Sequence, residues 1–388
     1  MYIDTVPNRN SPPAVLLRES VRQGSRIRKR TLANLSHWTP ARIQALRCAL
    51  RGEFDHLSHP DPQLGACFGL LFALKQIADR TAITAALGKG RLAKLALFLV
   101  LARVAHQGSR LSAVRWAEDQ AVAEVLGLGK FDEDDLYAAL DDLSARQGKI
   151  EKALYRHYLD HRAQPPRLFL YDVTSSYLEG EQNELGAYGY NRDGKRGKFE
   201  IVIGLLADEQ GEPLAVRVFE GNRSDPTTVV EQIKILQEQF GVKELVFVGD
   251  RGMVKSEGKQ VLSAQQVHDS YRAIEKVERD FRTLKTGLLE VRPVWVRKES
   301  RTRGHVFCCL LALKLSREIE RRLRATFGTT GAGPQAITLP DALTALTRLC
   351  LLHYQVDEKT TVTRLPRPDA RQEAILAALG VHLPKMKM

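Results

Sequence analysis

Four short apolar runs after Arg167 constrain this chain's fold more than any other feature. They are "RLFLYDVTSSYL", "FEIVIGLLAD", "PLAVRVFEG" and, further on, "ELVFVGD". Each has the length and the β-branched and aromatic content of a buried strand. Between the third and fourth lies "DPTTVVEQIKILQEQFG", with a helix-start signature at its head and a Gly at its tail. The order is therefore β-β-β-α-β. Three successive strands predict an antiparallel meander, and the helix permits a parallel crossover to a further strand. The expected fold class is α/β with a mixed sheet.

The first and fourth runs share a second property. Apolar residues lead up to an acid near the end of each, Asp172 in one and Asp250 in the other. Burying an unpaired carboxylate costs several kcal/mol or forces it to take up a proton. Neighbouring central strands would bring two such acids together, where they repel unless a cation lies between them. Mg²⁺ suits that position, because it prefers hard oxygen ligands and usually takes one or two carboxylates. A third acid would complete a two-metal site for attack on a phosphodiester.

The third candidate is Glu278 in "YRAIEKVERDFRTLK". Ile274, Val277, Phe281, Leu284 and Leu288 form a stripe at helical spacing that faces a core. Tyr271, Glu278 and Lys285 lie seven apart and stack along one side, bordering that stripe. Spacing alone leaves two readings: an acid aimed at the strand ends, or a Glu–Lys pair on the surface.

The rest of the chain is organised around this region. Residues 14–33 read as a hairpin whose arms carry Arg18, Arg22, Arg26, Arg28, Lys29 and Arg30. A solvated basic edge and a contact with DNA phosphates explain those cations equally well. From Thr39 to about Ala163 the pattern is helical, beginning with Thr39 as N-cap and Pro40 at N1 and ending at "QPP". "FDEDDLYAALDDLSARQG" and "GKIEKALYRHYLDHRA" read as successive helices there. "HVFCCLLALKLSREIERRLRATF" is a long helix, apolar first and basic later, and a mostly helical tail follows "GTTGAGPQ". The expected divisions are a basic hairpin region at 1–38, an all-α domain at 39–164, the strand-bearing domain at 165–327 and the tail at 328–388.

Charge and composition narrow the function. A net charge of +12 fits a polyanionic partner, most often nucleic acid. The five cysteines form no C-x-x-C, which argues against a zinc site or disulfide framework and fits a reducing cytosol. The N-terminus lacks a signal peptide's apolar core, and the apolar stretches are too short or too interrupted to span a bilayer. A soluble, cytoplasmic protein is expected. "GLGKFD" lacks the glycine frame of a phosphate loop, and the histidines show no ligand spacing. Ser175 and Ser176 have no paired His–Asp arrangement, which argues against a serine hydrolase. "EGNRSD", with Asn222 and Asp225, reads as a turn leading into a helix N-cap.

"YDVTSSYLEG", "GYNRDGKRGKFEIVIGLLAD", "VFEGNRSD", "VFVGDRGM" and the segment from "YRAIEKVERDFRTLK" to "SRTRGH" stand in an order that is specific. Together they resemble the DDE transposases of bacterial insertion sequences, in the group with the Tyr–Arg–Glu–Lys signature. The resemblance runs from about Val15 to Leu379. It implies a ribonuclease-H-like core, a helical DNA-binding domain before it and a helical tail after it. It also implies two Mg²⁺ or Mn²⁺ ions held by Asp172, Asp250 and Glu278. The implied activity is hydrolysis at element ends followed by joining of the freed 3′-OH to target DNA. The implied partners are double-stranded DNA and a second copy of the chain on that DNA. The signature's Tyr and Lys fall on Tyr271 and Lys285, and its Arg position is Ile274 here.

One departure stands out. Related transposases carry a fifth core strand, often with a long insertion, between the second Asp and the Glu. Here 27 residues separate Asp250 from Glu278, and they contain no strand-like run. The chain thus reads as an internally shortened transposase, with a non-catalytic DNA-binding remnant as the alternative. After Glu278 come Arg279, Arg282, Lys285, Arg292, Arg297, Lys298, Arg301 and Arg303. Beside the expected site, this cluster favours phosphate contacts over a merely solvated face.

Overall fold

The computed structural model describes residues 1–9, 12–23, 26–53, 62–189, 197–242, 246–248, 277–284, 296–328, 336–355 and 361–384. Asp250, Tyr271, Ile274, Lys285, Leu288 and Arg292 lie outside the described residues. The chain divides into two units, chiefly Met1–Leu64 with Leu352–Arg364, and Gly65–Leu351 with Leu365–Lys387.

The first unit holds β1 (Tyr2–Val6), β2 (Ala14–Gln23) and β3 (Arg26–Asn34), an antiparallel sheet in that order, and α1 (Pro40–Leu50). The expected hairpin is β2–β3, and β1 extends it on one side. Thr39 is the N-cap of α1 with Pro in the first turn, although its hydroxyl makes no cap hydrogen bond. Leu352–Gln355 pairs antiparallel with Thr361–Arg364 in the same unit. The tail is therefore not wholly helical: this hairpin interrupts it.

The second unit begins within β4 (Gln63–Cys67), in a stretch where only helices were expected. The backbone partners of Cys67 are Asp119 and Ala121, far along the chain, so no local pattern announces this strand. α2 (Gly69–Arg80), α3 (Ile83–Leu87), α4 (Arg91–Ala105), α5 (Arg110–Glu118), α6 (Val122–Leu126) and α7 (Glu133–Asp160) follow. α4 is buried on nearly all sides, as a helix that is apolar all round must be. α7 is one helix of 28 residues rather than two. It starts at a capping box in which Asp132 and Asp135 exchange hydrogen bonds with backbone N–H groups. Gly148 lies within it, so the helix absorbs the roughly 1 kcal/mol cost of an internal glycine.

The four strand runs form one sheet. β5 (Leu168–Tyr177), β6 (Glu200–Asp208), β7 (Pro213–Glu220) and β8 (Val246–Val248) stand in the order β7-β6-β5-β8. β5–β6 and β6–β7 are antiparallel and β5–β8 is parallel, so the expected meander and crossover are both present. Between β7 and β8 runs α8 (Asp225–Lys234), which widens into a π turn over Ile235–Gln239. Ser224 is its N-cap and Asp225 its first residue, a one-residue shift from the expected start. A fifth strand would have to come from 251–276, which are outside the described residues.

Both faces of this sheet are covered. Phe169, Tyr171 and Val173 pack with Val202, Leu206, Ile235 and Leu236 on one side. Leu170, Ile203, Leu205 and Val216 join the main core on the other, with α4, α7, α9 (277–284) and α10 (Glu299–Phe327). α10 is buried through its apolar stretch, and its later half carries most of its basic residues. α11 (Leu339–Thr347) and α12 (Ala370–Leu379), each opened by a capping box, close the same core. No helix among the described residues is long and apolar enough to cross a membrane.

Candidate active site

Asp172 is half-buried on a strand whose neighbours Tyr171 and Val173 are buried. Its Oδ1 accepts a hydrogen bond from the backbone N–H of Val173 at 2.8 Å. Side chains alternate along a strand, so Asp172 shares a sheet face with Leu168, Leu170 and Thr174. Its cross-strand partner on β6 is Leu205. The acid is not at the strand's end, as its apolar run suggested. β5 continues to Tyr177, because Thr174, Ser175 and Ser176 are buried and paired with β6. What ends near Asp172 is the described pairing with β8: the last parallel pair is Leu170↔Val248. In sequence, Asp172 and Asp250 each stand two residues beyond that pair.

Glu278 is exposed on α9. The expected stripe is there in its described part: Val277, Phe281 and Leu284 are buried, with Asp280 on the same face. These apolar residues belong to the cluster that contains Leu170 and Leu205, the apolar neighbours of Asp172 on its own sheet face. Glu278 thus borders the stripe, as spacing required, on a helix whose apolar face joins the main core.

Asp280 was not singled out by spacing. It is 2% exposed, and its Oδ2 is 3.2 Å from Nη1 of Arg317 on α10. Burial pushes its carboxyl up to about 7, against the opposing pull of Arg317 and Arg279. Arg279 and Asp280 line a cleft of about 980 Å³ together with Lys314, Arg317 and Arg321.

The basic residues around α9 and α10 divide into two kinds. Arg282, Arg297 and Lys298 are exposed. Arg301 is half-buried, paired with Asp141 at 3.3 Å and stacked over the Tyr137 ring at 4.5 Å. Arg303 donates to Glu299 at 2.8 Å and to the carbonyl of Val218 at 2.6 Å. These last two brace α10 against α7 and β7, a role that a charge run does not reveal. His305 is buried beside Arg110, its Nδ1 3.0 Å from Nη1, in keeping with a structural histidine.

A second buried charge system escaped the sequence reading. Glu151, 1% exposed on α7, accepts from Arg217 at 2.8 and 2.9 Å, from Gln147 at 2.8 Å and from Gln239 at 2.9 Å. The available signal was Arg217 itself, a lone cation inside the apolar run "PLAVRVFE", which must find a buried partner. At the turn between β6 and β7, buried Asp208 binds Arg162 at 2.7 Å and the Tyr158 hydroxyl at 2.5 Å. Burial and that acceptor push the Tyr158 phenol upward.

Among the described residues, no three His, Cys, Asp or Glu side chains are grouped to hold a metal ion. Asp250 is not among those residues.

The chain is thus a mixed α/β protein with a covered four-stranded sheet that carries a half-buried acid in a central strand. Residues 3–62 match the N-terminal domain of the IS1634 family transposases, which supports an insertion-sequence transposase. No curated protein matches the chain.

Proposed function

We propose that this chain is a DDE-type DNA transposase that binds insertion-sequence ends, cleaves DNA and joins a 3′-OH to target DNA. The observation that carries the reading is the β5–β8 ladder. Its parallel register runs to Leu170↔Val248, and Asp172 and Asp250 each stand two residues beyond that pair in the sequence. The strand order β7-β6-β5-β8, with antiparallel pairs followed by one parallel pair, is that expected of a ribonuclease-H-like core. The family match at residues 3–62 supports the same class.

Asp172, Asp250 and Glu278 would hold two Mg²⁺ (or Mn²⁺) ions. Carboxylate oxygens are the hard donors such ions require, and the partial exposure of Asp172 leaves its carboxylate able to serve. The bound ions would supply activation of water or a 3′-OH and charge stabilisation at the phosphodiester. Around them, Tyr271, Arg282, Lys285, Arg297 and Lys298 would hold DNA phosphates and fix the scissile bond. Arg301 and Arg303 would do so less directly, given their pairs with Asp141 and Glu299. DNA is the partner, and pairing of two ends implies a homodimer.

The short span between Asp250 and Glu278 makes the position of Glu278 the sensitive point, since about 1 Å of misplacement can cost ~100-fold in rate. The test is Mg²⁺-dependent nicking and strand transfer on plasmid DNA, followed on gels. Activity lost in both Asp172→Asn and Glu278→Ala bears out the enzyme. A protein that binds duplex DNA but never cleaves it would instead be the non-catalytic remnant.

A further inference from the structure

The distal half of the β2–β3 hairpin is built unlike the rest of the chain. β1 supports β2 only as far as Tyr2↔Arg18. Beyond that pair the sheet is a two-stranded ribbon, with Glu19↔Arg30, Ser20↔Lys29, Val21↔Arg28 and Arg22↔Ile27 as its rungs. Five residues of β2 correspond to roughly 17 Å of ribbon. Every described residue from Ser20 to Gln23 and from Ile27 to Leu32 is exposed, so neither face packs on a core. Val21 is 44% exposed and Ile27 71%. An isolated two-stranded ribbon is marginal in water, and exposed β-branched side chains add nothing to its stability. Such a ribbon gains its reason from what it touches.

Its charge says what that is. Residues 14–34 carry six Lys or Arg against one acid, Glu19. Glu19 offsets only Arg30, at 3.6 Å, and Asp4 reaches Lys29 at 3.8 Å. Among the described residues, Arg22 and Arg28 have no carboxylate partner. Alternation puts Arg28 and Arg30 on one face and Arg22 and Lys29 on the other, with Ile27 beside Arg22. A ribbon of two strands about 4.8 Å apart fits a B-form major groove about 12 Å wide. With the face that carries Ile27 turned to the floor, where thymine methyl groups are the apolar feature, Arg22 and Lys29 on that face and the long side chain of Arg28 on the other would meet the phosphates of the groove walls.

We infer that the β2–β3 ribbon is a duplex-DNA arm that enters the major groove, with Arg22, Arg28 and Lys29 on phosphates and Ile27 on base edges. The inference shares with the proposed function only the identity of the partner; it needs neither metal nor the three acids.

Binding of the full-length protein to a fluorescent mixed-sequence duplex of about 30 base pairs, in EDTA, tests it by anisotropy across a salt series. The Arg22→Ala/Arg28→Ala/Lys29→Ala variant should show a log K against log salt slope shallower by about 2 to 3. Its circular dichroism should match wild type, since these side chains are exposed. Ile27→Ser should weaken duplex binding and leave the slope unchanged. An unchanged slope in the triple variant overturns the inference. So does an equal loss of binding to heparin and single-stranded DNA, which would mark a generic polyanion contact. Because the assay runs in EDTA, it reads binding apart from any metal-dependent cleavage, so loss of the arm and loss of catalysis are read separately.

Discussion

Glu151→Ala should be among the most damaging single changes in the chain. The wild-type carboxylate is 1% exposed and accepts both arms of Arg217 together with the amides of Gln147 and Gln239. Truncation removes all these acceptors and leaves the Arg217 guanidinium, whose side chain is 13% exposed, with only the exposed Glu231 at 3.9 Å as a counter-charge. Removing one partner of a buried pair costs about 3–5 kcal/mol, most of it the penalty for the charge left behind. The same reasoning predicts that Glu151→Ala/Arg217→Met recovers much of the loss, because no uncompensated charge remains. Urea unfolding followed by circular dichroism, on both single variants and the double, gives the coupling energy. A single-variant cost below about 1 kcal/mol, or a double variant equal to the sum of the singles, would refute the assignment. The tie matters beyond stability, because it joins α7 to β7 in the sheet that carries Asp172.

Gly304→Ala should destabilise by at least about 1–3 kcal/mol, read as a lower urea midpoint. A Cβ there would stand 2.0 Å from the carbonyl oxygen of Leu140, a backbone atom that cannot swing aside. Asp172→Asn should abolish metal-dependent cleavage while leaving duplex affinity within about twofold, measured by gel and by anisotropy. His106, whose Nε2 lies 2.6 Å from the Ser112 hydroxyl and whose ring stacks on Trp116, is held below its ordinary pKa by burial. The unfolded chain therefore binds the proton more readily. The stability this group contributes is present above about pH 6.5 and is lost as pH falls through its lowered folded value. Urea midpoints between pH 5 and 7 should fall with acid in wild type and fall less in His106→Gln. Phe281→Ala should cost about 3–5 kcal/mol in the same assay, because the ring is 5% exposed within the α9 stripe.

Legibility followed the range of the interactions involved. The four core strands, the helix between β7 and β8, and α10 were readable because each announces itself by periodicity within its own few residues. The β2–β3 hairpin was readable for the same reason, whereas β4 was not, since Cys67 is paired with backbone some fifty residues away. The apolar lead-up to Asp172 marked a strand correctly but misjudged its end, because buried serines continue the ladder with β6. In the sequence Arg301 and Arg303 belong to a charge cluster, and only packing brings Asp141, Tyr137 and the Val218 carbonyl to them as partners. Glu151 was invisible for the converse reason: one acid in a charged helix looks like any other until Arg217 is brought to it.

The sequence by itself determined which segments become strands and helices, and which acids lie at the apolar strands and beside the α9 stripe. Backbone propensity and apolar spacing act over a few residues, and they are written in the order of the letters. Only the tertiary structure decided that β5 and β8 run parallel with Leu170 opposite Val248, that the α9 stripe joins the same core cluster as Leu170 and Leu205, and that Glu151 and Arg217 share a burial site. Those outcomes depend on pairings between distant segments. Their energies come from desolvation and close packing, which exist only once the chain has brought the partners together.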